Sequence, residues 1–99
     1  MYLDDLRNPK NNGFIIVRSF NEAVQYVQTH GFPSYVSFDH DLGDHAEKTG
    51  YDFAKYLVDL DLNGIMKMPD NFDFNVHSAN PVGATNIKNY MENYLRYRD

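Results

Sequence analysis

A chain of 99 residues, 42% hydrophobic and 23% charged, is long enough for one core and too short for two. Fourteen acidic against nine basic side chains give a net charge of −5, which excludes general coating of nucleic acid because the surface as a whole repels phosphate backbones. No apolar run approaches the roughly 20 residues of a membrane span, and residues 1 to 12 hold no signal-like apolar region. The absence of cysteine removes disulfides, thiolate metal sites and cysteine nucleophiles, so a single soluble domain over 1 to 99 in a reducing cytoplasm is expected. Oligomeric state is left open.

In chain order, Tyr2-Leu3 runs into Asp4-Asp5 as a very short strand, and residues 7 to 13 read as a polar loop. Phe14-Ile15-Ile16-Val17 is a β-branched run of strand length. Ser19 and Glu22 have the spacing of a capping box, and Phe20, Ala23, Val24 and Val27 follow helical spacing until Gly31 and Pro33 end the helix. Tyr35-Val36-Ser37-Phe38 reads as a buried strand, and Thr49 as the N-cap of a helix that presents Phe53, Ala54, Leu57, Val58 and Leu60 before stopping at Asn63-Gly64. Residues 72 to 77 alternate apolar and polar as an edge strand with one wet face. A last helix carries Ile87, Tyr90, Met91, Tyr94 and Leu95 on one stripe, with Arg96 and Arg98 at its C-terminal end.

Strands separated by helices predict parallel pairing, right-handed crossovers and helices covering the sheet. The first connection holds no ordinary crossover helix. Its eight residues span roughly 26 Å when extended, enough to return along a short strand of about 13 Å, so parallel pairing is allowed and a hairpin is the alternative.

In a parallel sheet, ligands bind beyond the carboxyl ends of the strands. Those ends gather Asp4 and Asp5, then Asp39, His40 and Asp41, then His77, Ser78 and Asn80. Carboxylates crowded at one rim raise one another's pKa unless a cation sits among them, and oxygen donors without sulfur suit Mg²⁺ or Ca²⁺, with Mn²⁺ or zinc admitted by the histidines. Taken singly, each aspartate could be a helix cap or a turn residue. His77, at a strand end beside small polar residues, fits a general acid or base, and Arg7 a phosphate clamp. Ser78 lacks a base that would make it a nucleophile. Tyr51, beside the rim loop, is the better stacking candidate than Tyr90 or Tyr94, whose stripe reads as core. His30 and His45 read as incidental, and Gly50 and Gly83 as close-packing positions at helix starts.

The strand ends resemble the phosphoryl-transfer site of response-regulator receiver domains, which pair two acidic residues after the first strand with a phosphoacceptor aspartate after the third. Leu3-Asp4-Asp5-Leu6-Arg7 with Pro9, Ser37-Phe38-Asp39-His40-Asp41-Leu42-Gly43, Thr49-Gly50-Tyr51-Asp52 and Val76-His77-Ser78-Ala79-Asn80-Pro81-Val82-Gly83 together resemble the cyclic-phosphate-processing receiver-like family over residues 3 to about 91. The resemblance implies a trimmed receiver-like, flavodoxin-like α/β domain with a mostly parallel sheet of about four strands and three helices. The chain departs from true receivers in lacking a fifth strand with its lysine and room for a first helix.

That resemblance implies metal-dependent processing, by hydrolysis or otherwise, of a cyclic phosphate on an RNA end or a small nucleotide. Asp4, Asp5 and Asp39 would hold Mg²⁺, or Mn²⁺ or Ca²⁺ in its place. Asp41 would serve as ligand or base and His77 as proton donor to the leaving oxygen, with His40 beside them. Arg7, Ser78, Asn80 and Tyr51 would hold the substrate. The rival expectations are a degenerate receiver that senses a nucleotide or phosphoryl group without turnover, or is phosphorylated on Asp39, and an interaction domain with a structural metal.

Overall fold

The computed structural model describes residues 1 to 43 and 46 to 98, so His45 lies outside the described residues. The elements are β1 (Tyr2–Leu3), β2 (Ile16–Val17), α1 (Phe20–His30), β3 (Tyr35–Phe38), α2 (Gly50–Leu62), β4 (Asp73–Val76) and α3 (Pro81–Arg98). The four strands form one sheet in the order β2-β1-β3-β4, and every pair is parallel. The alternative of a hairpin between the first two strands is thereby excluded. Although β1 is two residues long, it is central. Tyr2 and Asp4 donate their N–H groups to Ile15 and Val17 on one side, and Ser37 and Asp39 donate theirs to Met1 and Leu3 on the other.

Local sequence sets the helix starts. The Ser19 hydroxyl accepts the N–H of Glu22 at 3.1 Å, but Glu22 is exposed and the reciprocal half of the expected capping box is not formed. At α2 the box is complete: Thr49 Oγ1 accepts from the Asp52 N–H and Asp52 Oδ2 from the Thr49 N–H.

The connections place all three helices on one face. The right-handed crossovers β2-α1-β3 and β3-α2-β4 both advance toward β4, so their helices share a side, and α3 packs along α2. On that side Leu3, Val17, Val36 and Phe38 meet Ala23, Val27, Phe53, Leu57, Ile87 and Met91 in one buried core. The β1-to-β2 connection advances the opposite way and crosses the other face. There Phe14 packs against Tyr2 and Tyr35, at 6.1 and 5.9 Å between ring centroids. The expectation that helices cover the sheet therefore holds for one face, because a connection too short for a helix leaves the second face to a loop. Apart from Ile16, its side chains, Tyr2, Tyr35, Ser37, Asp73, Asn75 and His77, are accordingly polar or amphipathic.

A partly buried polar tie fixes α3, whose N-terminus stands at the sheet rim. Asp61 near the end of α2 accepts the Met68 N–H at 2.7 Å and the Tyr94 hydroxyl, while Arg98 stands 3.6 Å away. Burial and the bond to Asp61 push the Tyr94 phenol up to about 12. The folded state thus holds this proton more tightly than the unfolded state, whose tyrosines ionise near pH 10. The resulting stabilisation is complete below about pH 10 and is lost as pH rises through about 12. Asp61→Ala is expected to cost about 2 kcal/mol, because it strands the Met68 N–H and the Tyr94 hydroxyl. Denaturant titrations across that alkaline window should show the loss at neutral pH and a shallower decline above pH 10 than in the parent chain.

Candidate active site

Three neighbouring strands deliver their next residues to one edge: Asp4 after β1, Asp39 after β3 and His77 after β4. Asp4 and Asp39 are nearly inaccessible, at 1% and 5% relative exposure. The chain after β1 wraps around the first of them. Asp4 Oδ1 accepts the N–H groups of Leu6 and Arg7 at 2.9 and 2.8 Å, and Oδ2 accepts from Arg7 Nε at 2.9 Å and His77 Nε2 at 3.0 Å. Burial alone would push the Asp4 carboxyl up. The two backbone donors, His77 and the Arg7 charge outweigh it and hold the carboxyl below its ordinary value.

Arg7 also reaches Asp39, its Nη2 standing 3.5 Å from Oδ2. One guanidinium therefore bridges the two buried carboxylates and supplies the positive charge that their proximity requires. Arg18, following β2, braces this arrangement by donating to the carbonyls of Arg7 and Asp4 and to Asn8 Oδ1.

A carboxylate only accepts, so the His77 nitrogen facing Asp4 carries the proton, and in the neutral ring Nδ1 accepts from the Ser37 hydroxyl at 2.7 Å. Ser37-His77-Asp4 is thus a hydrogen-bonded chain, and the Tyr2 ring stacks on the imidazole at 4.4 Å. Both ring nitrogens are engaged. The expected donation from His77 to a leaving oxygen finds no free nitrogen in this arrangement, where His77 orients Asp4.

Beyond the strand ends lies a cleft of about 700 Å³ whose walls include Asp4, Asp5, Arg7, Asp39, Asp41, Thr49 and Ala79. Asp41 is exposed there and accepts from His40 Nδ1 at 2.8 Å, with the Asn80 amide at 3.4 Å. The His40 bond, assisted by Asn80 against slight burial, holds the Asp41 carboxyl below its ordinary range. Asn80 also caps α3, its Oδ1 accepting the Gly83 N–H, while Ser78 Oγ accepts the Asn80 N–H. The two helix-start glycines permit close approach: a Cβ at Gly50 would fall on the Asp39 carbonyl, and one at Gly83 on the His40 ring.

The structure thus brings Asp4, Asp5, Asp39, Asp41 and Arg7 to one cleft and sets His40, Ser78 and Asn80 behind its wall. Tyr51, expected beside the rim, is packed elsewhere. Its ring packs edge-on against Tyr90 at 5.4 Å with Lys55 over it, because the first turn of α2 directs it into the seam with α3 and not toward the rim. Ser37 and Arg18 were missed by the sequence reading. The signals for them were a lone hydroxyl in an apolar strand, and the strand-end rule, which applies to β2 as much as to its neighbours.

Oxygen donors dominate the cleft, which suits a hard divalent cation. One oxygen each of Asp4 and Asp39 and a nitrogen of His77 lie within 4.8 Å of one another. Asp4, however, already accepts four hydrogen bonds, so it becomes available only when Arg7 turns away. Asp5, Asp39 and Asp41 are less encumbered. The Arg7 side chain is half-exposed, so its far side faces solvent.

Because the Asp4 carboxyl is depressed, its stabilisation is present above the ordinary carboxylate pKa near 3.9 and is lost as pH falls through the lower folded value. Asp4→Asn should melt earlier than the parent at neutral pH, and its melting temperature should fall less steeply below about pH 4. Melts between about pH 2 and pH 7 measure both slopes; equal acid limbs would contradict the assignment.

No curated protein and no solved structure matches the chain. A family model described as cyclic-phosphate processing Receiver domain matches residues 1–93, nearly the whole chain, and the parallel sheet with acidic residues at its strand ends agrees with it. The chain therefore belongs to the cyclic-phosphate processing receiver family.

Proposed function

We propose that the rim cleft opens a cyclic phosphate on a small nucleotide or an RNA end by metal-dependent hydrolysis. The observation that carries the reading is the convergence of Asp4, Asp5, Asp39, Asp41 and Arg7 on one cleft, in a chain whose family processes cyclic phosphates. Asp5 and Asp39 would hold a divalent cation, Mg²⁺ by the hardness of the donors, with Asp4 joining when Arg7 withdraws. Bound there, such an ion supplies Lewis-acid polarisation of a phosphoryl oxygen and lowers the pKa of a water.

The chain's own residues do the rest. Arg7, released from its two carboxylates, presents a planar fork to the phosphate. Asp41, held ionised by His40, orients the attacking water more than it deprotonates it, since a depressed carboxyl is a weak base. Asn80 fixes Asp41 and ties it to the start of α3. His77 keeps Asp4 in place from behind, which makes it a positioning residue. Ser78 holds the turn that carries Asn80.

The parent chain with Mg²⁺ or Mn²⁺ is expected to convert a 2′,3′-cyclic nucleotide to a monophosphate. Arg7→Ala should lower kcat at saturating metal by about 10²-fold, the usual effect of removing one electrostatic stabiliser. The satisfied ion pairing around Arg7 also supports a second reading, a binding module without turnover, since the rim needs no added ion to balance its buried carboxylates. Chromatographic assay of a panel of cyclic phosphates with each metal decides between them. Turnover with none of them, in a chain that still binds these ligands, would leave the binding module.

A further inference from the structure

The sheet face that carries no helix holds a second cavity of about 500 Å³, within the roughly 300 to 1,000 Å³ of small-ligand sites. Its walls differ in kind from those of the rim cleft. They include the rings of Tyr2, Phe14 and Tyr35, the exposed amide of Asn75, and the cations Arg7 and Lys10, with no carboxylate among the described residues. In a chain of net charge −5, walls that carry two cations and no described carboxylate favour an anionic ligand.

The two cavities share a wall residue. Arg7 lines both, and His77, on the groove side, bonds through Nε2 to Asp4 on the cleft side. The groove floor is already ordered, with Tyr2 stacked on His77 at an interplanar angle of 5°. Aromatic rings give a sequence-tolerant platform for a base, an asparagine amide offers both a donor and an acceptor to a base edge, and a lysine suits a backbone phosphate.

We propose that this groove is a nucleoside subsite. It takes the base and ribose of a nucleotide whose phosphate lies in the rim cleft, with Arg7 at the junction and Lys10 facing any further phosphate. The inference rests on the reading of the cleft as a cyclic-phosphate site and deepens it by giving the nucleoside its own place, so that cyclic phosphates of simple polyols are not preferred ligands.

The test is calorimetry and amide-shift mapping on the full chain with three probes: nucleoside 2′,3′-cyclic monophosphates, ribose 2,3-cyclic phosphate lacking a base, and nucleosides lacking a phosphate. Base-bearing cyclic phosphates are expected to bind at least about tenfold tighter than the abasic one, in keeping with one base stacked on aromatic rings. Shifts should centre on Tyr2, Tyr35 and Asn75. Tyr35→Leu and the surface change Asn75→Ala should each reduce that advantage, lowering the affinity of base-bearing ligands by a larger factor than that of the abasic one; melting curves confirm folding, and the exposed Asn75 keeps the test valid if Tyr35→Leu is unstable. Equal affinity for base-bearing and abasic ligands would overturn the groove and leave the cleft reading standing. Binding of nucleosides to the groove with no effect of the cyclic phosphate would support the groove and overturn the cleft reading. Absence of groove shifts with every probe would overturn the proposal.

Discussion

Two carboxylates, Asp4 and Asp39, are buried side by side where the central strands of a parallel sheet end, and the surrounding structure is organised around neutralising them. Left alone, such a pair would shift its pKa upward or push the strands apart. Arg7 lies between them, the first-loop backbone donates to Asp4, His77 closes on Asp4 from β4, and Arg18 locks the arginine's own carbonyl. The partners come from the β1–β2 loop, from the residue after β2 and from the residue after β4, so the charge arrangement ties the ends of β1, β2, β3 and β4 together.

The same constraint links fold to chemistry. The connection from β1 to β2 is occupied with wrapping Asp4 and supplying Arg7, and it is too short to build a helix. One face of the sheet is consequently left to a loop, and polar and aromatic side chains replace the apolar residues that a second helical layer would require. A receiver-like sheet with helices on one side only thereby acquires two cavities that meet at Arg7. The proposed division places the phosphate over the acidic rim and the nucleoside on the open face.

Much of this was legible in the sequence because the signals are local. The Thr49 cap, the Gly31 stop, the alternation of the β4 edge and the apolar stripes of the helices each depend on residues within one or two turns. The strand-end rule likewise brings Asp4, Asp5, Asp39 and Asp41 to one edge from the strand positions alone. Pairings across the chain were not legible. That Arg7 would neutralise the carboxylates instead of waiting for a phosphate depends on how the loop closes around Asp4. That Ser37 would occupy one nitrogen of His77 depends on the register of β3 against β4. Tyr51 sits beside the rim in sequence, yet the rotation of α2 turns it into the α2–α3 seam.

If Arg7 is the resident cation of a site that takes a metal during its work, arginine and metal must compete for the same carboxylates. Calorimetric titration of Mg²⁺ and Mn²⁺ into the parent, Arg7→Gln and Asp39→Asn chains measures that competition directly. Arg7→Gln is expected to bind the ions more tightly than the parent, by about tenfold for one competing unit charge in a partly solvated site, and Asp39→Asn more weakly. Unchanged or weaker binding by Arg7→Gln, or parent-like binding by Asp39→Asn, would contradict a metal site built on these carboxylates.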